Sequence, residues 1–209
     1  MKLLRDKVIS CTWAKSTNVF TTGDKALDRD QIMCVVEGKY SNWVKDNRIL
    51  ISDDYFETES EPPLEPGRTV SGIVNLAAVK GYFAVAAKSE GTSEMALYVT
   101  DDTAVWHRAE FGQQTLEEDA YTILESTNYS IQVDVMNSAM TAPMGALFTS
   151  NSNGTYFTEN IKHTNRNMRG FVDFEKIQNI QGIVLVNQVS NWQDIEKSWL
   201  AAKELVTRI

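Results

Sequence analysis

Short apolar segments rich in β-branched and aromatic residues alternate with polar turns along most of the chain. Residues 8–14 and 32–36 are two such segments, each bounded by polar clusters. Residues 72–79 run into Lys80-Gly81 and re-enter as residues 82–86, a pattern typical of a β-hairpin. The pattern therefore predicts short antiparallel strands rather than helices.

The same pattern recurs further along the chain. Residues 121–125, a polar Ser-Thr-Asn turn and residues 129–135 predict a second hairpin, and residues 182–186 begin a third. Residues 61–67 contain three prolines, which cannot donate to a strand ladder, so this stretch is predicted to be a connector.

Helical periodicity is confined to the C-terminal stretch. Trp192, Ile195 and Trp199 recur at spacings of three and four residues, with charged residues between them. This spacing fits a short helix, and a polar loop that carries two buried tryptophans remains the alternative.

Three segments share a strand, a hydroxyl residue followed by an acid or amide, and a hydrophobic re-entry: residues 49–56, 97–106 and 147–157. Their turn residues Asp53, Asp101 and Asn151 lie 48 and 50 residues apart, and the strand isoleucines Ile73 and Ile123 are also 50 apart. A repeat near fifty residues, with about four short strands in each, is typical of β-propeller blades.

The repeat divides the chain into three blades and an incomplete fourth, about three and a half in all, over residues 8–60, 70–112, 120–162 and 180–209. The fold prediction is therefore all-β, a fragment of a propeller that occupies residues 1–209.

The turns themselves are predicted to be structural. An Asp or Asn at Asp53, Asp101 or Asn151 accepts hydrogen bonds from backbone N–H groups two or three residues on. An aromatic residue five positions later, Trp106 or Tyr156, packs beneath the turn and seals it.

Composition and charge exclude several classes of function. Twenty Lys and Arg against 28 Asp and Glu give a net charge of −8, which disfavours nucleic acid as a partner. The longest apolar run, residues 82–87, is far short of a membrane span, and the charges within residues 1–7 do not fit a signal peptide. No residue pattern predicts a cofactor.

Cys11 and Cys34 are the two cysteines of the chain. Their spacing does not predict a zinc site, because only His107 and His163 are available to complete it. A disulfide and a pair of buried thiols in a reducing compartment remain open alternatives at this point.

The turns resemble degenerate Asp-boxes, the S/T-x-D-x-G-x-T-W motif of sialidases and of sortilin-type sorting receptors. The surrounding sequence resembles that of the fungal vacuolar protein sorting receptors that carry carboxypeptidase Y. The resemblance is carried by residues 65–72, 74–80, 86–92, 106–111 and 124–130. The boxes also depart from the motif: Asp53 lacks the downstream Gly and Trp, Thr103 replaces the usual glycine, and Asn151 replaces the aspartate.

The resemblance implies part of a ten-bladed luminal propeller in a membrane-anchored receptor that binds soluble vacuolar hydrolases in the Golgi and releases them in an endosome. It implies peptide recognition without covalent chemistry, so the chain is expected not to be an enzyme. It also implies a disulfide between Cys11 and Cys34, which fall where such receptors carry a cysteine pair. Asn128 and Asn153 begin N-glycosylation sequons in predicted turns.

Two alternatives accompany this interpretation. A sialidase-like glycosidase shares the box, but it needs an arginine triad that the scattered arginines here do not match. A truncated relic of a receptor, without a function of its own, is the other. His107 and His163 are expected to be surface or loop residues rather than catalytic bases.

Overall fold

Antiparallel strands, most of them paired with a neighbour in the sequence, build three sheets in the computed structural model. The structure describes residues 5–15, 28–79, 81–88, 94–113, 116–117, 121–126, 130–139, 141–177, 180, 183–198 and 201–209.

The first sheet has the order β1 (Val8–Lys15), β2 (Asp28–Val36) and β3 (Arg48–Ser52). After β3 the chain turns back, and Ile51 and Ser60 exchange two backbone hydrogen bonds of 2.8 and 3.0 Å. This isolated pair stands where a fourth strand of the sheet would lie.

The second sheet confirms the first predicted hairpin. It runs β4 (Ile73–Val79), β5 (Tyr82–Lys88), β6 (Glu94–Thr100) and β7 (His107–Arg108), and β8 (Leu116–Glu117) also pairs with β6. The proline-rich stretch before β4 is a connector, as predicted.

The third sheet confirms the second hairpin. Its strands are β9 (Tyr121–Ser126), β10 (Ile131–Met136), β11 (Met144–Ser150) and β12 (Phe157–Asn165).

The C-terminal elements join this third sheet rather than standing apart from it. They are β13 (Phe174–Lys176), β14 (Val184–Val189), α1 (Trp192–Lys197) and β15 (Leu205–Arg208). β14 pairs with β13 and β15, and the pair Thr164 and Gln188 connects it to β12, giving a seven-stranded sheet. The short helix α1 decides between the two alternatives for this stretch, while Trp199 lies outside the described residues.

The cores lie between successive sheets. In β5, Tyr82, Ala84 and Ala86 face the third sheet, whereas Phe83 and Val85 face the first. A strand that is buried on both faces needs a continuous apolar sequence, which explains the run that begins at Tyr82. Sheets that bury their faces against neighbouring sheets form part of a β-propeller, so the fold class is all-β as predicted.

The predicted blade limits remain a prediction. The strands of the first sheet lie within residues 8–60, but β8 lies beyond residue 112, β12 extends beyond residue 162 and β13 precedes residue 180.

Candidate functional site: box turns, sheet junctions and an inter-strand groove

The first, second and third box turns follow β3, β6 and β11. The first two are built in the same way. In the second box, the Thr100 hydroxyl accepts the Thr103 N–H at 2.9 Å and donates to the Val105 carbonyl at 2.6 Å. Asp102 Oδ1 accepts the N–H groups of Ala104 and Val105, both at 2.8 Å. The hydroxyl and the carboxylate together brace the turn.

In the first box, Ser52 Oγ accepts the Phe56 N–H and donates to Asp54 Oδ1, both at 2.8 Å. Asp54 also accepts the Thr58 N–H at 2.9 Å and its hydroxyl at 2.6 Å. The bond from the Thr58 hydroxyl is the main cause that lowers the pKa of Asp54.

The bracing carboxylates correct the sequence prediction by one residue. The prediction gave this role to Asp53 and Asp101, but Asp54 and Asp102 accept the turn N–H groups described above. Successive side chains of a strand point to opposite faces. The second acid therefore lies on the same side as the inward-facing hydroxyl, over the turn.

The third box uses Asn151, as predicted, and carries one more residue than the second. Asn151 Oδ1 accepts the N–H groups of Thr155 and Tyr156 at 2.9 and 3.2 Å. The prediction that Tyr156 seals the turn is wrong, because its side chain is 60% exposed. Phe157 is buried instead and stacks on Phe111, with ring centroids 4.4 Å apart.

In the second and third boxes, a left-handed residue explains which aromatic residue is buried. Thr103 and Gly154 have φ values of 63° and 75°. Trp106 follows Thr103 by three residues, and Phe157 follows Gly154 by three. Trp106, which was predicted to pack beneath its turn, is buried in the core between the first and second sheets. Counting from the left-handed residue, rather than from the acid, would have identified Phe157.

Replacing Asp102 with alanine tests the bracing role. We expect Asp102→Ala to lower the free energy of unfolding by about 1 kcal/mol, because two N–H groups lose their acceptor. Asp102→Asn keeps an oxygen acceptor and should lose less than half of that. Urea unfolding followed by circular dichroism measures both, and equal losses would show that the charge, rather than the hydrogen bonds, matters.

The two cysteines face each other across neighbouring strands. Cys11 in β1 is the direct register partner of Cys34 in β2, and a disulfide joins them. It closes a sequence separation of 23 residues, which includes the connection between the two strands.

The two sequons have different standings. Asn128 lies outside the described residues. Asn153 lies in the third box, half-buried, and its Oδ1 accepts the Thr155 N–H at 3.2 Å.

The second and third sheets meet at the third box. The Tyr82 hydroxyl donates to the Ser152 carbonyl at 2.8 Å, and burial raises the pKa of this tyrosine. Glu110 donates its N–H to the Thr155 carbonyl at 2.7 Å and accepts the Phe157 N–H at 2.9 Å. Main-chain bonds therefore fix one sheet against the next.

A groove of about 370 Å³ lies between β4 and β9, and each of these is an edge strand of its sheet. Its lining is mostly apolar and comes from Val74, Asn75, Ala77, Met95, Tyr121, Thr122 and Ile123. The outermost strand of a sheet can pair with an added extended segment, so this groove suits a peptide rather than a compact ligand.

A buried ionic cluster joins β10 to the residue that follows β12, and sequence reasoning missed it. Arg166 donates from Nε to Asp134 Oδ1 at 2.7 Å and from Nη2 to the Asp134 carbonyl at 2.8 Å. Thr164 donates its hydroxyl to the other carboxylate oxygen. Burial raises the pKa of Asp134, while the Arg166 charge and the Thr164 hydroxyl oppose that rise.

Lys203, in the segment before β15, also contacts this cluster. Its ammonium donates to the carbonyls of Pro143 and Arg166 and to Asn165 Oδ1, at 2.6, 2.8 and 3.0 Å. Burial lowers the pKa of this lysine. These bonds hold the segment before β15 against β11 and β12.

His163 is not in the loop that the sequence suggested. It lies within β12 at φ 56°, where the register with β11 shifts, and its ring stacks on Trp192 of α1 with centroids 4.1 Å apart. Burial lowers the pKa of His163, whereas Glu196 raises it. His107 forms the start of β7.

Other site chemistry is limited in the part of the chain that the structure describes. Within it, no group of three or more His, Cys, Asp or Glu side chains is placed to hold a metal ion. No helix of these same residues has the length and apolar character to cross a membrane.

Comparison with known proteins gives a consistent result. The profile of the family Sortilin-Vps10, described as "Sortilin, neurotensin receptor 3", matches residues 1–209. A protein of Paracoccidioides lutzii named "Vacuolar protein sorting/targeting protein 10" is 57% identical over 212 residues, 99% of this chain and 14% of the relative. The protein of the same name from Pyrenophora teres f. teres is 58% identical over 208 residues, all of this chain and 14% of the relative.

A third relative of that name, from Ajellomyces capsulatus, is 54% identical over 214 residues, again 14% of its length. The chain therefore belongs to the sortilin-Vps10 family and spans about 14% of the length of these curated relatives.

Proposed function

We propose that this chain is part of the luminal β-propeller of a receptor that sorts soluble hydrolases, such as carboxypeptidase Y, to the vacuole. The observation that carries the proposal is the identity of 54–58%, over nearly the whole chain, with proteins named for vacuolar protein sorting and targeting. Identity at this level over three consecutive sheets supports a shared role for the segment.

The covalent chemistry of the chain supports a luminal location. Disulfides persist in oxidising compartments and are rare in the cytosol. The Cys11–Cys34 disulfide therefore fits the Golgi and endosome lumen proposed for the receptor. Asn128 and Asn153 stay predicted glycosylation sites. If Asn153 carries a glycan, endoglycosidase treatment should lower the mass of the chain, and Asn153→Gln should make that decrease smaller.

We infer that cargo is held without covalent chemistry, as an extended segment along the groove between β4 and β9. The mostly apolar lining around Val74, Ala77 and Ile123 suits aliphatic side chains, and the outer strand edges offer main-chain hydrogen bonds. Nothing in this mode of binding requires a nucleophile or a cofactor.

A receptor chimera tests the proposal. The 208 aligned residues of the Pyrenophora teres f. teres protein are replaced by this chain, and secreted and vacuolar carboxypeptidase Y are compared by immunoblot. We expect cells with the chimera to retain as much of the hydrolase as cells with the unaltered receptor. Deletion of the segment should cause secretion of the hydrolase. An intact chimera in the Golgi and endosomes that secretes as much hydrolase as the deletion would overturn the proposal.

A further inference from the structure

The loop between β2 and β3 displays two aromatic side chains to solvent. Tyr40 is 90% and Trp43 is 67% exposed, the two largest values for aromatic residues among those that the structure describes. We call residues 38–46 the aromatic loop. Tyr and Trp are enriched among the residues that carry most of the binding energy at protein interfaces.

Internal contacts fix the backbone of the aromatic loop although its rings are exposed. The Ser41 hydroxyl donates to Asp46 and accepts the Trp43 N–H. A side chain at Gly38 would overlap Asp46, so the two ends of the loop are in close contact.

The loop is also anchored to the next sheet. Asn47 donates its side-chain N–H to the Ile73 carbonyl, and its backbone carbonyl accepts the Ile73 N–H, both at 3.2 Å. A surface that is ordered before binding loses little conformational entropy when a partner docks.

A lysine lies over each exposed ring. Lys39 Nζ is 5.4 Å from the centroid of Tyr40, and Lys45 Nζ is 5.4 Å from the centroid of Trp43. Each pair places an ammonium beside an apolar face. A carboxylate that contacts the ammonium therefore brings a neighbouring apolar side chain onto the ring.

The charge on the exposed side of the loop has one sign. Its exposed charged residues are Lys39 and Lys45, while the acids Glu37 and Asp46 are half-buried. This is a local positive surface on a chain of net charge −8. The net charge disfavours an anionic membrane as the ligand, whereas an acidic protein segment needs only the local field.

We propose that the aromatic loop is a docking surface for an acidic segment of a partner protein, in which Tyr40 and Trp43 bind apolar side chains and Lys39 and Lys45 bind carboxylates. The surface is separate from the groove between β4 and β9, so it does not depend on the function proposed above.

Fluorescence anisotropy of the purified 209-residue chain tests the proposal. The probe is a short fluorescein-labelled peptide in which glutamate and leucine alternate, and the matched peptide has lysine in place of glutamate. We expect saturable binding of the acidic peptide and no binding of the lysine peptide. Tyr40→Ala with Trp43→Ala, and separately Lys39→Glu with Lys45→Glu, should each weaken it by at least about tenfold.

Phe171→Ala removes a 63% exposed aromatic from another surface and should leave binding unchanged. Thermal unfolding of each variant controls for folding, which is expected to be unaffected because the replaced side chains are exposed. Absence of binding by the unaltered chain, or binding to either loop variant as tight as to the unaltered chain, would overturn the proposal. Capture by phosphatidylserine vesicles or self-association that depends on Tyr40 and Trp43, without peptide binding, would overturn it in favour of a membrane or a second copy.

Discussion

Replacing Arg166 with methionine is expected to lower the free energy of unfolding by about 3–5 kcal/mol, because the Asp134 carboxylate then remains buried without its counter-charge. Both side chains are almost fully buried, at 1% and 0% exposure, and 2.7 Å separates their charged atoms. The substitution also removes the donor to the Gly170 carbonyl, which lies 2.8 Å from Nη1. Urea unfolding followed by circular dichroism measures the loss.

Two controls separate the buried ion pair from the loss of an arginine as such. Arg48→Met breaks the half-exposed pair with Glu61, whose atoms are 2.7 Å apart, and should cost less than about 1 kcal/mol. Asp134→Leu combined with Arg166→Met removes both charges and should recover at least half of the loss. A single Arg166→Met variant no less stable than Arg48→Met would contradict the assignment.

The loss should also depend on pH. The Arg166 charge opposes the rise that burial causes in the pKa of Asp134, so its removal raises that folded-state pKa further above the unfolded value. The folded state then binds more protons than the unfolded state, and stability falls as pH rises through that interval. We therefore expect Arg166→Met to cost more at about pH 7 than at about pH 4.5.

The strands and hairpins were readable from the sequence because their signals are local. The longer strands carry β-branched or aromatic residues of their own, and the apolar run that begins at Tyr82 directly indicates the burial of β5 on both faces. The two-residue strands β7 and β8 carry no such residues. The fifty-residue repeat then orders the strands into sheets, since a repeated unit that buries its faces needs identical neighbours.

The parts that the sequence left open depend on orientation or on distant pairs. The choice between Asp101 and Asp102, or between Tyr156 and Phe157, depends on which way a side chain points where a strand ends, and one inserted residue reverses it. Asp134 and Arg166 are 32 residues apart, and no local pattern marks the pair. The space for it is visible only in three dimensions, because a side chain at Gly145 would overlap Asp134.

The junction between sheets gives the second large prediction, at Gly154. This residue has φ 75°, and a β-carbon on it would overlap the side chain of Val99 in the second sheet, coming within 2.9 Å of the Val99 Cβ. Gly154→Ala therefore combines backbone strain of about 1–2 kcal/mol with a steric conflict of about 1–3 kcal/mol. We expect a total loss of about 2–5 kcal/mol in the free energy of unfolding, measured by urea unfolding.

Gly112 supplies a matched control on the same chain. Its φ is 67°, but among the described residues a β-carbon there has no neighbour within 4 Å, so Gly112→Ala should show the backbone strain alone. The difference between the two variants then measures the contact between the second and third sheets. Val99→Ala should relieve part of the loss when combined with Gly154→Ala, because it removes the γ-carbon nearest to the added β-carbon but keeps the Val99 Cβ. Alone it destabilises the core. An equal loss of unfolding free energy in Gly154→Ala and Gly112→Ala would show that the third box is not in close contact with the second sheet. The two sheets would then not be packed as neighbouring blades at this point.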